Sequence, residues 1–219
     1  MEKRVAVIHT SFVTVDLLKS LFHEIIPEVR MINIVDDSLL SELTEKRGIT
    51  PSIVRRVCKY AVEAEAAGAD AIFNQCSSVG EAVDIARTML KIPYIKIDEA
   101  MAEEAVKIGG RISVVATAAS TIGPSCRLIE KTAQRLDRRV KIRDFLADGA
   151  LDVLMKEDDR ERHDKMVLEE IKKAGDISDV IVLAQGSMAA LLPQLGFVEK
   201  PVISSPRLGV ERLRKVLNL

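Results

Sequence analysis

A cysteine at the junction of a predicted strand and a predicted helix is the residue of this sequence best placed for chemistry. Cys76 follows the apolar run Asp70–Phe73 and precedes a helical pattern that begins at Val83. In a parallel α/β sheet, ligands bind where strands end, and a helix start offers free N–H donors and a partial positive charge. That position alone would lower a thiol pKa by about one unit, so we expect Cys76 to be a reactive thiolate. The alternative is a small buried hydrophobic residue.

Three other turns between a predicted strand and a predicted helix carry small polar residues, as the turn at Cys76 does. Backbone N–H groups and hydroxyls in such turns can surround an anion without a cationic side chain, and a carboxylate is the expected ligand. Capping of the following helix explains any one of these hydroxyls equally well. The candidate ligand-binding residues are His9, Thr10 and Ser11 in the first turn, Gln75, Ser77 and Ser78 beside the thiol, Thr117, Ser120 and Thr121 in the third turn, and Gln185, Gly186 and Ser187 in the fourth.

The remaining histidines and cysteines give weaker signals. His9 ends the first predicted strand and is a candidate for substrate binding or acid/base chemistry, whereas His23 and His163 lie on other elements. Cys58 and Cys126 fall within helical patterns, where a free cysteine is usually structural. No His, Cys, Asp or Glu cluster has metal-ligand spacing, and no glycine fingerprint for a nucleotide is present, so we expect neither a metal nor a cofactor.

Apolar runs alternate with helical periodicity along the chain, which is typical of a mainly parallel sheet. Thr50 before Pro51 predicts a helix start, because threonine caps helices and proline is favoured at the first helical position. Predicted helices include Thr121–Leu136, Ala150–Lys156 and Met188–Leu195. The predicted strands are Arg4–Ile8, Val29–Val35, Ala69–Phe73, Pro93–Ile97, Ile112–Ala116, Val140–Phe145, Asp179–Leu183 and Pro201–Ser204.

The second half of the chain repeats the plan of the first. Lys91–Ala100 has a counterpart in Glu199–Leu208, and Asp70–Cys76 has one in Asp179–Gln185. We therefore expect an α/β protein of two pseudo-symmetric lobes, each a mainly parallel sheet flanked by helices, with the site in the cleft between them. The lobes would be residues 1–97 with 207–219, and residues 98–206. One continuous doubly wound sheet would give the same periodicity.

Composition favours a small-molecule partner. In 219 residues, 32 Lys and Arg stand against 33 Asp and Glu, which gives no sign of nucleic-acid or membrane binding. Trp is absent and only two tyrosines occur, so aromatic platforms for stacking bases are lacking. With three cysteines, no signal peptide and no long apolar run, the sequence predicts a cytoplasmic protein that does not span a membrane. The sequence is compatible with a homo-oligomer.

Three segments of the sequence resemble the aspartate/glutamate/hydantoin racemase superfamily. They are Asp70–Ala82 with its cysteine, Val114–Thr121, and Val180–Ala189. The resemblance extends over essentially the whole chain, including the duplication. It implies two pseudo-symmetric α/β lobes, no pyridoxal phosphate and no metal, and proton transfer at a carbon next to a carboxylate by two cysteines that face each other.

The sequence departs from that family pattern at its second cysteine, because Gln185 stands at about that position. Glutamine cannot exchange protons near neutral pH, so a symmetric two-thiol mechanism is excluded. The expected activity is that of a cofactor-independent racemase or isomerase with Cys76 as acid or base and an unidentified partner residue. The alternatives are decarboxylation of a malonate-type acid by a single cysteine, as in the superfamily's decarboxylase branch, and carboxylate binding without catalysis.

Overall fold

The computed structural model describes residues 2–219 and divides into two compact units. The first unit contains the residues up to Ile97 together with Pro206–Leu219, and the second is Asp98–Ser205. Each unit has its own four-stranded parallel sheet, so the expected α/β class is confirmed and the alternative of one continuous sheet is wrong. The strands are β1 (Lys3–His9), β2 (Val29–Val35), β3 (Ala71–Asn74), β4 (Tyr94–Lys96), β5 (Arg111–Ala116), β6 (Lys141–Leu146), β7 (Val180–Leu183) and β8 (Val202–Ser204).

Helices connect successive strands, as parallel pairing requires. They are α1 (Val15–Ile25), α2 (Ser38–Lys46), α3 (Pro51–Ala66), α4 (Gly80–Arg87), α5 (Glu99–Ile108), α6 (Ala119–Arg135), α7 (Ala150–Lys156), α8 (Arg160–Gly175) and α9 (Ser205–Val216), with 3-10 helices at Ser77–Val79 and Gly186–Gln194.

In the first unit the strand order is β2-β1-β3-β4, and alternate residues of the central strand β1 enter two different cores. Ala6 and Ile8 belong to the core that contains α3 and α4 residues. Val5 and Val7 belong to the core that contains α1 and α9 residues, where Phe22 meets Phe73 edge to face with ring centroids 6.2 Å apart. The face on which a residue of this sheet lies therefore follows from its position along the strand.

Single residues explain where α3 begins and how closely α9 packs against the sheet. The Thr50 hydroxyl accepts the N–H of Ile53 at 3.2 Å, and Pro51 occupies the first helical position, as the sequence predicts. α9 approaches the end of β4 so closely that a Cβ at Gly209 would lie 2.7 Å from the carbonyl oxygen of Ile97. Only glycine fits at that contact, which brings the C-terminal helix into the core of the first unit.

The second unit repeats this architecture with strand order β6-β5-β7-β8. Residues of β5, β7 and α8 share one core with the 3-10 helix that follows β7. The predicted helix Met188–Leu195 is instead this 3-10 helix, Gly186–Gln194, with Pro193 inside it. Proline cannot donate the backbone hydrogen bond that a continuing α-helix requires at that position.

Candidate active site

Cys76 lies just beyond the carboxyl end of β3, and its backbone is held in place by its neighbours. Its conformation is extended, with φ −115° and ψ 117°, and the 3-10 helix Ser77–Val79 begins directly after it. The N–H of Gln75 continues the sheet by donating to the carbonyl of Ile8 at 3.1 Å. The side-chain amide of Asn74 donates to the carbonyl of Cys76 at 2.7 Å. The position of the thiol is thus fixed by both the sheet and a buried amide.

Donors from two elements face the Cys76 sulfur. They are the hydroxyl of Thr10 after β1, the backbone N–H and hydroxyl of Ser78, and the backbone N–H of Val79. Burial nevertheless raises the pKa of the Cys76 thiol above its ordinary value, because it outweighs these hydrogen bonds. The expectation of a thiolate with a lowered pKa is therefore wrong. A protonated thiol is the ground state, and the donors are placed to stabilise its anion.

His9 is fully buried and lies away from the thiol. Its alternation with Val5 and Val7 puts it on the α1 and α9 face of the sheet, and its Nε2 pairs with Asn33 Oδ1 at 2.9 Å. Cys76 packs instead against the core of the opposite face. Burial lowers the pKa of His9, which favours a neutral ring. The structure therefore does not group His9 with Cys76, and the strand period of two is the physical reason.

The same positions in the second unit carry Thr117 and Gln185. The two sheets have equivalent registers at this edge, so Thr10 and Cys76 in the first unit correspond to Thr117 and Gln185 in the second. In each unit the threonine follows the central strand and the other residue follows the neighbouring strand. The paired strand residues that fix this correspondence are Ile8 with Asn74, and Val115 with Leu183.

Gln185 uses its amide oxygen to bind the turn that begins α6. The backbone N–H of Thr117 donates to Gln185 Oε1 at 2.5 Å, the Thr117 hydroxyl at 3.1 Å, and the backbone N–H of Ala118 at 3.3 Å. Ala118 directly precedes α6, so Gln185 fixes the turn that leads into this helix from the end of another strand. The Thr117 donors that the sequence assigned to a substrate carboxylate are used here by a side chain.

The other predicted ligand-binding residues stay at the two carboxyl edges but differ in exposure. Ser120 and Thr121 lie in the first turn of α6 rather than before it, and the Ser120 hydroxyl oxygen is buried without a hydrogen bond in residues 2–219. Buried residues are Thr10, Ser11, Ser77, Ser78, Thr117, Thr121 and Gly186, whereas Gln75, Ser120, Gln185 and Ser187 are partly exposed.

Sequence reasoning missed two polar residues at the carboxyl edge of the first sheet. Asn74, fully buried, holds the Cys76 carbonyl, and an asparagine that ends an apolar strand is the signal for such a role. Asp36 follows β2 and accepts hydrogen bonds from Arg56 Nη1 at 2.9 Å and from the Tyr60 hydroxyl at 2.7 Å. Its N–H donates to the His9 carbonyl, so the Asp36 network ties α3 to this edge.

Residues 2–219 contain neither a metal-binding cluster of side chains nor a membrane-spanning helix. No three or more His, Cys, Asp or Glu side chains converge there as a metal site would require. None of the helices within those residues has the length and apolar character needed to cross a membrane.

A model of the Asp/Glu/hydantoin racemase family matches residues 3–213. The chain belongs to that family. A comparison with curated protein sequences gives no significant match.

Solved structures with the same fold include racemases of three kinds. Glutamate racemase isoform RacE1 from Bacillus anthracis has a TM-score of 0.74 at 18% identity, covering 99% of this chain and 82% of that one. Allantoin racemase from Klebsiella pneumoniae has 0.68 at 19% identity, covering 99% and 88%. Aspartate racemase from Picrophilus torridus has 0.71 at 16% identity, covering 99% and 94%. At such identities the likeness shows the fold.

Proposed function

We propose that the protein is a cofactor-independent enzyme of racemase or isomerase type, which transfers a proton at the carbon α to a carboxylate with Cys76 as the acid/base. Membership of the Asp/Glu/hydantoin racemase family supports this reaction class. The observation that carries the proposal is the environment of the Cys76 sulfur, which is partly buried and faced by donors from Thr10, Ser78 and Val79. An inert structural cysteine has no need of such donors.

The proton moves between the thiol and the substrate carbon. In one direction the Cys76 thiolate removes the α-proton, and the electron pair of the C–H bond passes into an enediolate. In the other direction the thiol gives its proton to that carbon and becomes a thiolate. The donors at Thr10 and Ser78 stabilise this thiolate. Because burial raises the pKa of the thiol, the small fraction present as thiolate is a stronger base than an exposed one.

The substrate in this proposal is a small carboxylate. The hydroxyl and N–H groups of Ser11, Ser77 and Ser78 bind it beside Cys76 at the carboxyl edge of the first sheet. Gln185 and Ser187 are the candidate ligand-binding residues at the carboxyl edge of the second sheet. Hydroxyl and amide donors of this kind bind a carboxylate without a cationic side chain.

Gln185 favours single-cysteine decarboxylation as a second candidate. Racemisation needs an acid/base on each face of the planar intermediate, and an amide whose oxygen is bound to Thr117 and Ala118 cannot serve as one. In decarboxylation the C–C bond to one carboxylate of a malonate-type acid breaks, CO2 leaves, and the electron pair remains in an enediolate. The Cys76 thiol then protonates one face of that carbon and regains its proton from water.

Incubation in deuterium oxide with a panel of amino, hydroxy and malonic acids tests the proposal. Proton NMR reports α-deuteration, chiral chromatography reports loss of optical purity, and trapping reports released CO2. Deuteration without CO2 supports the racemase or isomerase reaction, and CO2 release with one deuterium per product supports decarboxylation. Carboxylate binding with neither reaction would contradict the proposed enzyme and leave a non-catalytic binding protein.

A further inference from the structure

We infer that Gln185 is a fixed hydrogen-bond donor to an oxyanion of the ligand, presented by its NH2 group in the position where an acid/base would otherwise stand. The identity of that oxyanion, a substrate carboxylate or the enediolate formed from it, rests on the proposed function. The orientation of the amide does not, because it follows from contacts within the second unit.

The partners of Gln185 fix which end of its amide faces the turn. Backbone N–H groups only donate, and those of Thr117 and Ala118 both point to the same side-chain atom at 2.5 and 3.3 Å. An amide nitrogen, itself a donor, cannot accept them, so that atom must be the oxygen. The Thr117 hydroxyl, 3.1 Å away, adds a third donor to the same oxygen. The amide therefore has one allowed orientation.

The rest of the residue is held as firmly as its oxygen. The backbone carbonyl of Gln185 accepts the N–H of Met188 at 3.1 Å, and the residue has an extended conformation with φ −127° and ψ 136° at the start of the 3-10 helix Gly186–Gln194. With both ends of the side chain constrained, little rotamer entropy remains to be lost when a ligand binds. Such a group is preorganised for one interaction.

The NH2 group is the part of Gln185 left to a ligand, and it has two donors and no acceptor. Gln185 is partly exposed, so a ligand at the carboxyl edge of the second sheet can reach it. A donor fixed in this way favours an oxygen that carries negative charge. Gln185 thus selects a ligand oxyanion while taking no proton from carbon.

Thr117 acts through Gln185 and is a positioning residue. It is almost fully buried and gives two of the three hydrogen bonds to the amide oxygen, one from its backbone and one from its hydroxyl. Its role differs from that of Thr10, whose hydroxyl faces the reactive sulfur directly.

Two substitutions separate the donor role from anchoring and from charge. Gln185→Glu keeps an oxygen for the Thr117 and Ala118 donors but replaces the NH2 group with a second acceptor. Gln185→Met is similar in length and neutral, and it removes both the anchor and the donor. Gln134→Glu, on the exposed surface of α6, is the matched control for added charge.

The test is malonate binding to the full-length wild type and the three variants by isothermal titration calorimetry, with urea unfolding of each protein as the measure of folding. A donor role predicts that binding weakens by about tenfold or more in both Gln185 variants and stays within about twofold in Gln134→Glu. It also predicts that the Gln185 side-chain NH2 signals in a nitrogen–proton NMR spectrum shift when wild-type protein is saturated with malonate.

Each other outcome overturns the inference in an identifiable way. Loss in Gln185→Glu alone would indicate charge repulsion, and loss in Gln185→Met alone would indicate anchoring of the turn. Unshifted NH2 signals, or no malonate binding by the wild type, would remove the donor role. If α-deuteration is absent but both Gln185 variants lose malonate, the proposed function fails and this inference stands. If deuteration proceeds and both variants bind malonate normally, this inference fails and the proposed function stands.

Discussion

The carboxyl edges of the two sheets share one scaffold but hold different groups at the equivalent position. At the first edge a threonine hydroxyl and backbone donors face the Cys76 sulfur, which can gain and lose a proton. At the second edge Thr117 and Ala118 donate to Gln185 Oε1, which cannot. Both edges provide donors to the second residue beyond the strand, which is Cys76 after β3 and Gln185 after β7. The chemical type of that residue therefore decides whether the donors face a group that can titrate or a fixed amide dipole.

A second difference lies beside β2 and β6, the strands next to each central strand. Asp36 N–H donates to the His9 carbonyl, and the equivalent bond in the second unit is made by Ala147 N–H to the Ala116 carbonyl. Asp36 ties Arg56 and Tyr60 to the first edge, whereas Ala147 is buried in the core of the second unit. The first edge thus has an ionic network that the second lacks at this position.

The largest expected effect comes from making the two edges alike with Gln185→Cys. A thiol there would provide an acid/base at the second edge, and acid/base groups contribute about 100- to 10,000-fold to rates. We expect the racemisation rate of an α-deuterated substrate to rise by about 100-fold or more. Chiral chromatography of the substrate over time measures this rate. Gln185→Ser, with a hydroxyl of far higher pKa, is the control and should not gain racemisation. An equal gain in both variants would contradict the comparison.

Removing the ionic network should destabilise the first unit. Asp36→Ala leaves the Tyr60 hydroxyl without its acceptor and removes one of the two carboxylates that pair with Arg56, the other being Glu42. We expect the free energy of unfolding at pH 7 to fall by about 1–3 kcal/mol in urea titrations. Asp37→Ala, at the exposed neighbouring residue, should change it by less than about 0.5 kcal/mol.

The same comparison has a pH dependence whose sign is fixed. Burial alone would raise the pKa of Asp36, but hydrogen bonds from Ser38 and Tyr60 and the charge of Arg56 hold it below its ordinary value. A lowered pKa in the folded state gives stability that is complete above the unfolded pKa of about 3.9 and is lost as the pH falls through the folded value. The difference between wild type and Asp36→Ala should be constant above about pH 5 and should shrink below about pH 4. A difference that grows on acidification would contradict the network.

The two threonines should separate catalysis from binding. Thr10→Val removes a donor to the Cys76 sulfur and should lower kcat by about tenfold, because the hydrogen bond strengthens when the thiolate forms. Thr117→Val leaves two backbone donors on Gln185 Oε1 and should raise KM by about threefold with kcat nearly unchanged. Steady-state kinetics of both variants measure this split. The opposite pattern would mean that the roles of the two edges are exchanged.

The smallest effect is the titration of the Cys76 thiol. Burial raises the pKa of this group, so the thiolate absorbance of the wild type minus that of Cys76→Ser should increase only above the ordinary thiol pKa of about 8.5. The spectra are measured without ligand between neutral and alkaline pH. Thiolate absorbance already present at neutral pH would restore the lowered pKa that the helix start alone suggests.

The sequence predicted the repeated α/β plan because hydrophobic periodicity and the residues that start or end helices and strands carry that information. The strand Val29–Val35 and the helix Ala150–Lys156 have the predicted bounds. The cap at Thr50 is confirmed as well. These features depend on local spacing, which one sequence is enough to show.

The site was less accessible because it depends on contacts between distant residues. Whether His9 or Thr10 lies next to Cys76 depends on the face of the sheet that each one occupies. The packing of the two hydrophobic cores determines which face that is. The raised pKa of Cys76 depends on burial, which opposes the helix-start effect that the sequence does show. The bond from Thr117 to Gln185 joins residues 68 apart in the chain. No local pattern encodes such a pair.

The most direct test of the central claim is the rate of α-deuteration in deuterium oxide. It is measured for Cys76→Ser, for the wild type and for Cys126→Ser. Cys126 lies in α6, where burial and the nearby Asp144 and Glu130 raise its pKa to about 11, so its substitution controls for loss of a thiol elsewhere. The account predicts a loss of about 100- to 10,000-fold in Cys76→Ser, because a serine hydroxyl has a far higher pKa, and wild-type rates in Cys126→Ser. Deuteration by Cys76→Ser at the wild-type rate would contradict the assignment of Cys76 as the acid/base.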